Sequence, residues 1–387
     1  MTVAEPLPAG RHLRRSRRRR VLLVVLAVVV GLIVLAAAAV ALIARDLAGD
    51  LEREDVFGGI AEQERPEQEP TEALDLLVLG SDGRAGAGEA YETGENADVE
   101  GERADTTLLV HISADRESAR VVSLPRDSWV ELPACRGTDG AQLPARQGQL
   151  NAAFMEGGLP CAVRTVESLT GIRIDHTAVV DFAGFRDMVD ALGGVPVCLD
   201  EPFRPRMAGV ELPAGRSVLQ GPEALEFVRA RYGVGDGTDT ARIERQKQVI
   251  ASMLDRALSR QLLVRPDRLV RFLSAATKNL RVDQDLDLRE LAVSLRGIDL
   301  SQVALTTVPL DPDPGPEFRE GGDLFGRLAW DEPAAQALFA ELRADRPPAA
   351  PTAVPSGTPS VDPSAEPVEP SPTASEGTAT AAEAACR

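Results

Sequence analysis

The sequence predicts an α/β fold: a single α-β-α layered domain with a central mixed sheet, preceded by one transmembrane helix and followed by a disordered tail. Three observations predict it. Between residues 74 and 346, apolar runs of strand length alternate with segments of helical periodicity. Near the start, a charge-free stretch of 23 residues, Val21–Ile43, follows a cluster of seven arginines in residues 11–20. From about residue 347 the chain turns to Pro, Ser, Thr, Ala and Glu and nearly loses its large apolar side chains.

The N-terminal segments follow from charge and length. As a helix, Val21–Ile43 spans ~34 Å at ~1.5 Å per residue, enough for a hydrocarbon core of ~30 Å. The basic residues 1–20 stay cytoplasmic by the positive-inside rule, which places the rest of a single-pass protein outside the cell membrane. A cleaved signal peptide usually has an apolar region of only ~7–15 residues, so an uncleaved anchor fits better, although the small-residue run Ala36–Ala41 keeps cleavage open. Residues 44–73, rich in Glu, Gln and Pro, read as a juxtamembrane stalk. Residues 347–387 cannot bury enough apolar surface to offset the entropy of ordering, and read as the disordered tail.

Within the domain at 74–346, Leu74–Leu79 is a buried-strand run ended by Gly80. Thr106–Ile112 and Arg120–Leu124 are two more strands, joined by the turn-like Ser113–Ser118. Ala178–Phe182 is a fourth and Val195–Leu199 a fifth; Pro196, with no N–H to donate, places the fifth at an edge. Helices intervene. Ala162–Leu169 follows Pro160 and stops at Gly171. Ala183–Leu192 sets Phe185, Met188, Val189 and Leu192 on one face and stops at Gly193. Pro222–Arg229 carries proline in its first turn, where a missing N–H is tolerated. Arg242–Leu263 places Ile243, Ile250, Met253, Leu254 and Leu258 at helical spacing.

Composition removes some functions. A formal net charge of −18 disfavours non-specific binding to nucleic acid, which is not expected as a partner. His12, His111 and His176 have no metal-ligand spacing, and the latter two read as ordinary strand residues. Outside the membrane disulfides persist. Cys135 and Cys161 flank a loop rich in Gly, Gln and Pro and form the best pair; the pairing of Cys198 and Cys386 stays open. None of the four cysteines has the CxxC spacing of a metal or redox site.

Charged residues concentrate at four predicted element ends. They are Gly80-Ser81-Asp82-Gly83-Arg84 after the first strand, Arg103-Ala104-Asp105 entering the second, and Pro125-Arg126-Asp127 leaving the third. The fourth runs from Arg229 and Arg231 through Gly233, Gly235 and Gly237 to Asp239, Arg242, Arg245 and Gln246. On one unbroken helix Arg229 and Arg231 would point ~200° apart, so both can reach one ligand only if the helix ends near them, as the glycines suggest. Arg242 stands three and four residues before Arg245 and Gln246, spacings that share a helix face, and Asp239 suits the N-cap of that helix. Its N-terminus would favour phosphate. Taken singly, each arginine is an ordinary surface residue, for arginine is abundant throughout the chain.

The order of these segments is more specific. LLVLGSDGR, ADTTLLVHI, VVSLPRDSWV, LNAAFMEGG, LTGIRIDHTAVVDFAGFRDMVDALGGV, LEFVRARY and DTARIERQKQ together resemble the LytR-CpsA-Psr (LCP) family over about Leu74–Ser259. The resemblance implies an extracytoplasmic LCP-type domain that binds a polyprenyl-diphosphate-linked glycan donor. Such a domain transfers the glycan phosphate to an acceptor hydroxyl, usually on peptidoglycan, with Mg²⁺ or Mn²⁺ assisting. On the same ground Asp82 and Asp105 are the metal-side carboxylates, and Arg84, Arg126, Arg229, Arg231, Arg242, Arg245 and Gln246 form the diphosphate site. Asp82, Asp105, Arg126, Asp239 and Arg242 make up the catalytic set, with Asp127 and Asp239 both candidates for general base. The lipid tail is expected in an apolar tunnel between sheet and helices; Phe182, Phe185, Met188, Val189 and Leu192 either line it or pack the core. Ala85–Glu102 reads as a lid loop. Two alternatives remain: a polyprenyl diphosphate diphosphatase, with water in place of the sugar hydroxyl, and a non-catalytic envelope protein that binds lipid-linked glycan or regulates wall assembly. The presence of both Asp82 and Asp105 favours metal chemistry, since a pure binder needs only the arginines.

Overall fold

The computed structural model describes residues 49, 51–82, 102–199, 201–204, 210–230, 239–257, 259, 262, 264–295, 297–346 and 379–380. The chain divides into two units, Met1–Asp50 and Leu51–Arg387, and every element below lies in the second. The expected basic segment, the anchor Val21–Ile43, most of the Ala85–Glu102 loop and nearly all of the tail fall outside the described residues. Among the described residues no helix is long and apolar enough to cross a membrane.

In chain order the strands are β1 Glu52–Glu54, β2 Leu74–Ser81, β3 Ala104–Ile112, β4 Ala119–Leu124, β5 Trp129–Leu132, β6 Cys135–Arg136, β7 Gln142–Leu143 and β8 Arg146–Gln149, then β9 His176–Asp181, β10 Val195–Leu199, β11 Gly215–Leu219, β12 Leu280–Asp283, β13 Val303–Thr307 and β14 Ala379–Thr380. The helices are α1 Leu150–Thr170, α2 Phe182–Leu192, α3 Gly221–Arg229, α4 Asp239–Ala257, α5 Pro266–Lys278, α6 Leu288–Leu295 and α7 Glu332–Arg343. The central sheet runs β1-β12-β9-β2-β3-β4-β13-β14. It is mixed: β2, β3 and β4 pair antiparallel, while β9 lies parallel to β2 and β13 parallel to β4.

The alternation of β2 explains the layers. Successive side chains of a strand point to opposite faces. Leu77 and Leu79 join a core with Leu109, Val122, Phe154 and Val163 of α1, and Phe339 of α7. Leu76 joins the opposite core with Ile112, Val121, Leu305 and Ala251 of α4, against which Leu291 and Leu295 of α6 pack. Helices therefore cover both faces, as the α-β-α expectation requires.

Several boundaries moved for physical reasons. The helix expected at Ala162–Leu169 extends back to Leu150, with a kink at Gly158, whose φ of 65° suits glycine. Pro160 thus stands in the first turn of the second half, where its missing N–H is harmless. Phe182, expected to end a strand, begins α2, because the Asp181 side chain accepts from the Gly184 N–H at 2.6 Å and caps the helix. β10 is an edge strand as expected, but in a separate two-stranded ribbon with β11. Gln248 and Ser252 of α4 donate to its Cys198 and Pro196 carbonyls. In the tail, Ala379–Thr380 pairs with β13 rather than lying unstructured.

The stalk expected at 44–73 is corrected in its second half. Val56 is fully buried and Ile60 nearly so, both in the core beneath α1. Arg65 reaches 7% exposed into the domain and meets Glu167 of α1 at 2.6 Å; Arg65 also donates to the Ile174 carbonyl at 2.5 Å. Average composition hid these few apolar anchors among acidic neighbours. The disulfide Cys135–Cys161 forms as expected, with Cα atoms 5.7 Å apart, and ties β6 to α1; Cys198 is disulfide-bonded as well. His111 and His176 are more than ordinary strand residues. His111 lies between Asp75 and Asp345 at 2.8 and 3.1 Å, and His176 sits 3.1 Å from Asp283.

Candidate active site

Strand polarity gathers the site. β2 ends at Ser81, β3 begins at Ala104 opposite it, and β4 ends at Leu124 opposite Thr107. The segments carrying Asp82, Asp105 and Arg126 therefore meet at one end of the sheet. Asp82 is fastened at the foot of its loop: its Oδ1 accepts from the Arg103 N–H at 2.8 Å, and its own N–H donates to the Arg103 carbonyl at 3.0 Å. Burial pushes the Asp82 carboxyl above the usual range; the Arg103 amide opposes this, the Asp105 charge adds to it, and the Arg229 charge lowers it.

Arg126 hydrogen-bonds to Asp105 through one terminal nitrogen and to Asp127 Oδ2 through Nε at 3.2 Å. Burial alone would disfavour its charge, but Asp105 and Asp127 outweigh that and hold it firmly protonated. Arg242, near the start of α4, brings Nη2 to 3.5 Å from the same Asp127 Oδ2, while Gln149 Nε2 donates to Oδ1 at 2.8 Å. α3 ends at Arg229, as the glycine-rich continuation suggested, and this guanidinium lies over the Phe182 ring, 4.6 Å from its centroid. Three carboxylates, Asp82, Asp105 and Asp127, and three arginines, Arg126, Arg229 and Arg242, from five segments of the sequence, are thus neighbours.

Arg245 departs from expectation. Its Nε donates to the Phe227 carbonyl at 3.2 Å and its Nη2 to the Ala230 carbonyl at 2.5 Å, so it caps the end of α3 and holds the Arg229 segment instead of facing a diphosphate. Burial, then the neighbouring Arg242 charge, lowers its pKa. Gln246 lines a narrow seam between α4 and strands β3, β4 and β13 that has no room for a water molecule. Its lining mixes polar residues, Thr106, Ser123, Gln246, Lys247 and Thr306, with the apolar Leu108, Val121, Ile250 and Leu305. Of the residues that either line a tunnel or pack the core, Val189 and Leu192 are buried, Val189 in a core with Val195, Phe203 and Phe227. Phe185 packs against that core, whereas Phe182 meets Arg229. Arg84 and Arg231, and the side chain of Asp239, lie outside the described residues; α4 begins at Asp239 itself.

The profile of the LytR_cpsA_psr family matches residues 47–335. The chain belongs to the LytR-CpsA-Psr family. It is 32% identical over 260 residues to the cell wall biosynthesis protein LcpA of Corynebacterium glutamicum, covering 62% of this chain and 50% of that protein, so it spans about half of that relative's length. It is 29% identical over 273 residues to the polyisoprenyl-teichoic acid–peptidoglycan teichoic acid transferase TagU of Enterococcus faecalis, covering 70% and 79%. In three dimensions it resembles the LytR-Csp2A-Psr enzyme from Actinomyces oris, with a TM-score of 0.55, 22% identity, and coverage of 76% and 95%. That likeness establishes the fold.

Two further residues of this LytR-CpsA-Psr domain escaped sequence reasoning. Gln149 joins the site only because β8 pairs with β5, which sets Gln149 opposite Trp129. Glu102 accepts from Ser81 Oγ at 2.5 Å and from Arg281 Nη2 at 2.7 Å, linking the end of β2 to β12. Neither sits in a motif whose residue types announce it. Asp82 and Asp105 both offer carboxylate oxygens, the donor type a hard divalent cation takes, and the Asp105 charge adds to burial in raising the Asp82 pKa; among the described residues no group of three or more His, Cys, Asp or Glu is placed to hold a metal.

Proposed function

We propose that this protein, anchored in the cell membrane through Val21–Ile43 with its domain outside, transfers a glycan phosphate from a polyprenyl-diphosphate-linked donor to a hydroxyl of peptidoglycan. One observation carries the reading: Arg126 meets Asp105 and Asp127, Arg242 meets the same Asp127, and the Arg229 charge acts on Asp82, so guanidiniums from sheet and helices gather with these carboxylates at one end of the sheet, as a diphosphate head requires. The name of the Enterococcus relative, a transferase joining polyisoprenyl-linked teichoic acid to peptidoglycan, supports the donor and acceptor class.

Phosphoryl transfer asks for positioning and charge neutralisation more than covalent help. The acceptor oxygen attacks the glycan-side phosphorus, the bond to the bridging oxygen breaks, polyprenyl monophosphate leaves with that oxygen, and the hydroxyl proton passes to water. Planar guanidiniums offer paired N–H donors to phosphate oxygens. Arg229 and Arg242 approach from the helical side and Arg126 from the sheet, so charge is met from two directions. Asp82 and Asp105 would hold Mg²⁺ or Mn²⁺, which when bound neutralises diphosphate charge as a Lewis acid. A hydrocarbon tail would need the seam between α4 and the sheet to open, which would bare Leu108, Val121, Ile250 and Leu305 to it.

The test uses the full chain in lipid nanodiscs, with a polyprenyl-diphosphate-linked glycan, peptidoglycan fragments and Mg²⁺. Glycan phosphate joined to peptidoglycan, with polyprenyl monophosphate released, is the expected product, and a chelator should abolish it. Equal release without any acceptor would replace the transferase reading by a diphosphatase. No turnover with every component present would remove the enzymatic reading.

A further inference from the structure

We infer that Asp127 and Gln149 are positioning residues that join the sheet-borne and helix-borne arginines into one unit, and that Asp127 is not the general base. The inference rests on the transferase reading for its kinetic consequence, but its geometry stands without it. Arg126 belongs to the turn after β4 and Arg242 to α4, elements 116 residues apart in sequence. Two neighbouring guanidiniums repel unless an anion lies between them. Asp127 is that anion: its Oδ2 faces Arg126 Nε at 3.2 Å and Arg242 Nη2 at 3.5 Å. Its Oδ1 is taken by the Gln149 amide at 2.8 Å. Both oxygens thus accept from neighbouring donors and the residue is only 8% exposed, an arrangement that suits holding guanidiniums rather than taking a proton from an incoming hydroxyl.

Gln149 belongs to a three-residue grip. It caps α1, and the next two N–H groups, of Leu150 and Asn151, donate to the Ser128 carbonyl at 2.9 Å and the Arg126 carbonyl at 3.2 Å. Three successive residues thus hold three successive residues, Arg126–Ser128. The two backbone bonds are open to any residue type. Only the side-chain bond to Asp127 depends on what stands at 149, and it sets which way the carboxylate faces.

The experiment compares the full chain with Asp127→Asn, which keeps the shape and removes the charge, and Gln149→Met, which keeps the length and removes the donor. Kinetics use the polyprenyl-diphosphate-linked glycan. Both variants should lose ~10–10²-fold in kcat/KM through a raised donor KM as well as a lowered kcat, the scale of a small misplacement. The acid limb of the kcat pH profile should stay where it is. Collapse of kcat at unchanged KM in Asp127→Asn, with loss of that limb, would overturn the inference in favour of a base. A second readout needs no substrate: exchange protection of the Arg126 Nε–H resonance by ¹⁵N NMR. It should fall in both variants, and wild-type protection in both would also overturn the proposal. Should the wild type turn over no donor, the transferase reading fails while the Nε–H measurement still decides this one.

Discussion

Replacing Arg65 with alanine should destabilise the domain by ~3–5 kcal/mol, the scale for removing one partner of a buried ion pair. The figure follows from what the change strands. Glu167 is 1% exposed, and Arg65 contacts both of its oxygens, at 2.6 to 3.3 Å. After truncation the carboxylate keeps the Ile174 N–H at 3.0 Å but loses its cation, and the Ile174 carbonyl loses the donor at 2.5 Å. The guanidinium stack over Phe57, 4.5 Å from the centroid, is lost as well. Urea unfolding of the full chain in detergent, followed by Trp129 and Trp330 fluorescence, measures the change. The double change Arg65→Met with Glu167→Leu removes both charges and should recover most of the loss, since an apolar pair of similar volume is often neutral. A shift below ~1 kcal/mol in Arg65→Ala would refute the reasoning and return residues 51–66 to a stalk outside the cooperative unit.

The Cys135–Cys161 bridge, with a sequence separation of 26, should contribute ~3.5 kcal/mol by the loop-entropy relation; identical unfolding midpoints with and without reductant would contradict it. Burial disfavours charge on His111, but Asp75 and Asp345 reverse this and raise its pKa, and Asp283 does the same for His176. Their stabilising contributions are complete below ~6.5 and are lost as pH rises through the raised folded values, so unfolding free energy should decline from pH 6 upward and His111→Gln should flatten that decline. Arg229→Ala should slow transfer by ~2–4 kcal/mol of barrier; unchanged rates would remove Arg229 from the charge-neutralising set. Arg245→Ala, by contrast, should register first as lost stability, because its donors hold the Phe227 and Ala230 carbonyls; a normal melting curve would count against that role.

Much of the fold was legible because its signals are local. LDLLVL announced β2, and its nearly continuous apolar run already implied a strand buried on both faces. Pro222, Gly171 and Gly193 marked helix ends by what their backbones can and cannot do. The site residues Asp82, Asp105, Arg126, Arg229 and Arg242 were legible as motif positions, and antiparallel pairing of β2, β3 and β4 brought three of their segments to one edge.

What the amino-acid order settled by itself is whatever depends on neighbours along the chain: strand and helix periods, punctuation by Gly and Pro, net charge, and the apolar stretch Val21–Ile43. Tertiary structure alone decided which polar groups meet. Arg242 and Arg245 share a helix, a spacing of three and a residue type, yet one faces the carboxylates and the other the end of α3. Gln149 reaches Asp127, and Arg65 reaches Glu167 across 102 positions, only because packing closes those distances. A buried charge takes the partner that the fold brings within hydrogen-bond reach, and that partner carries no mark in the local sequence.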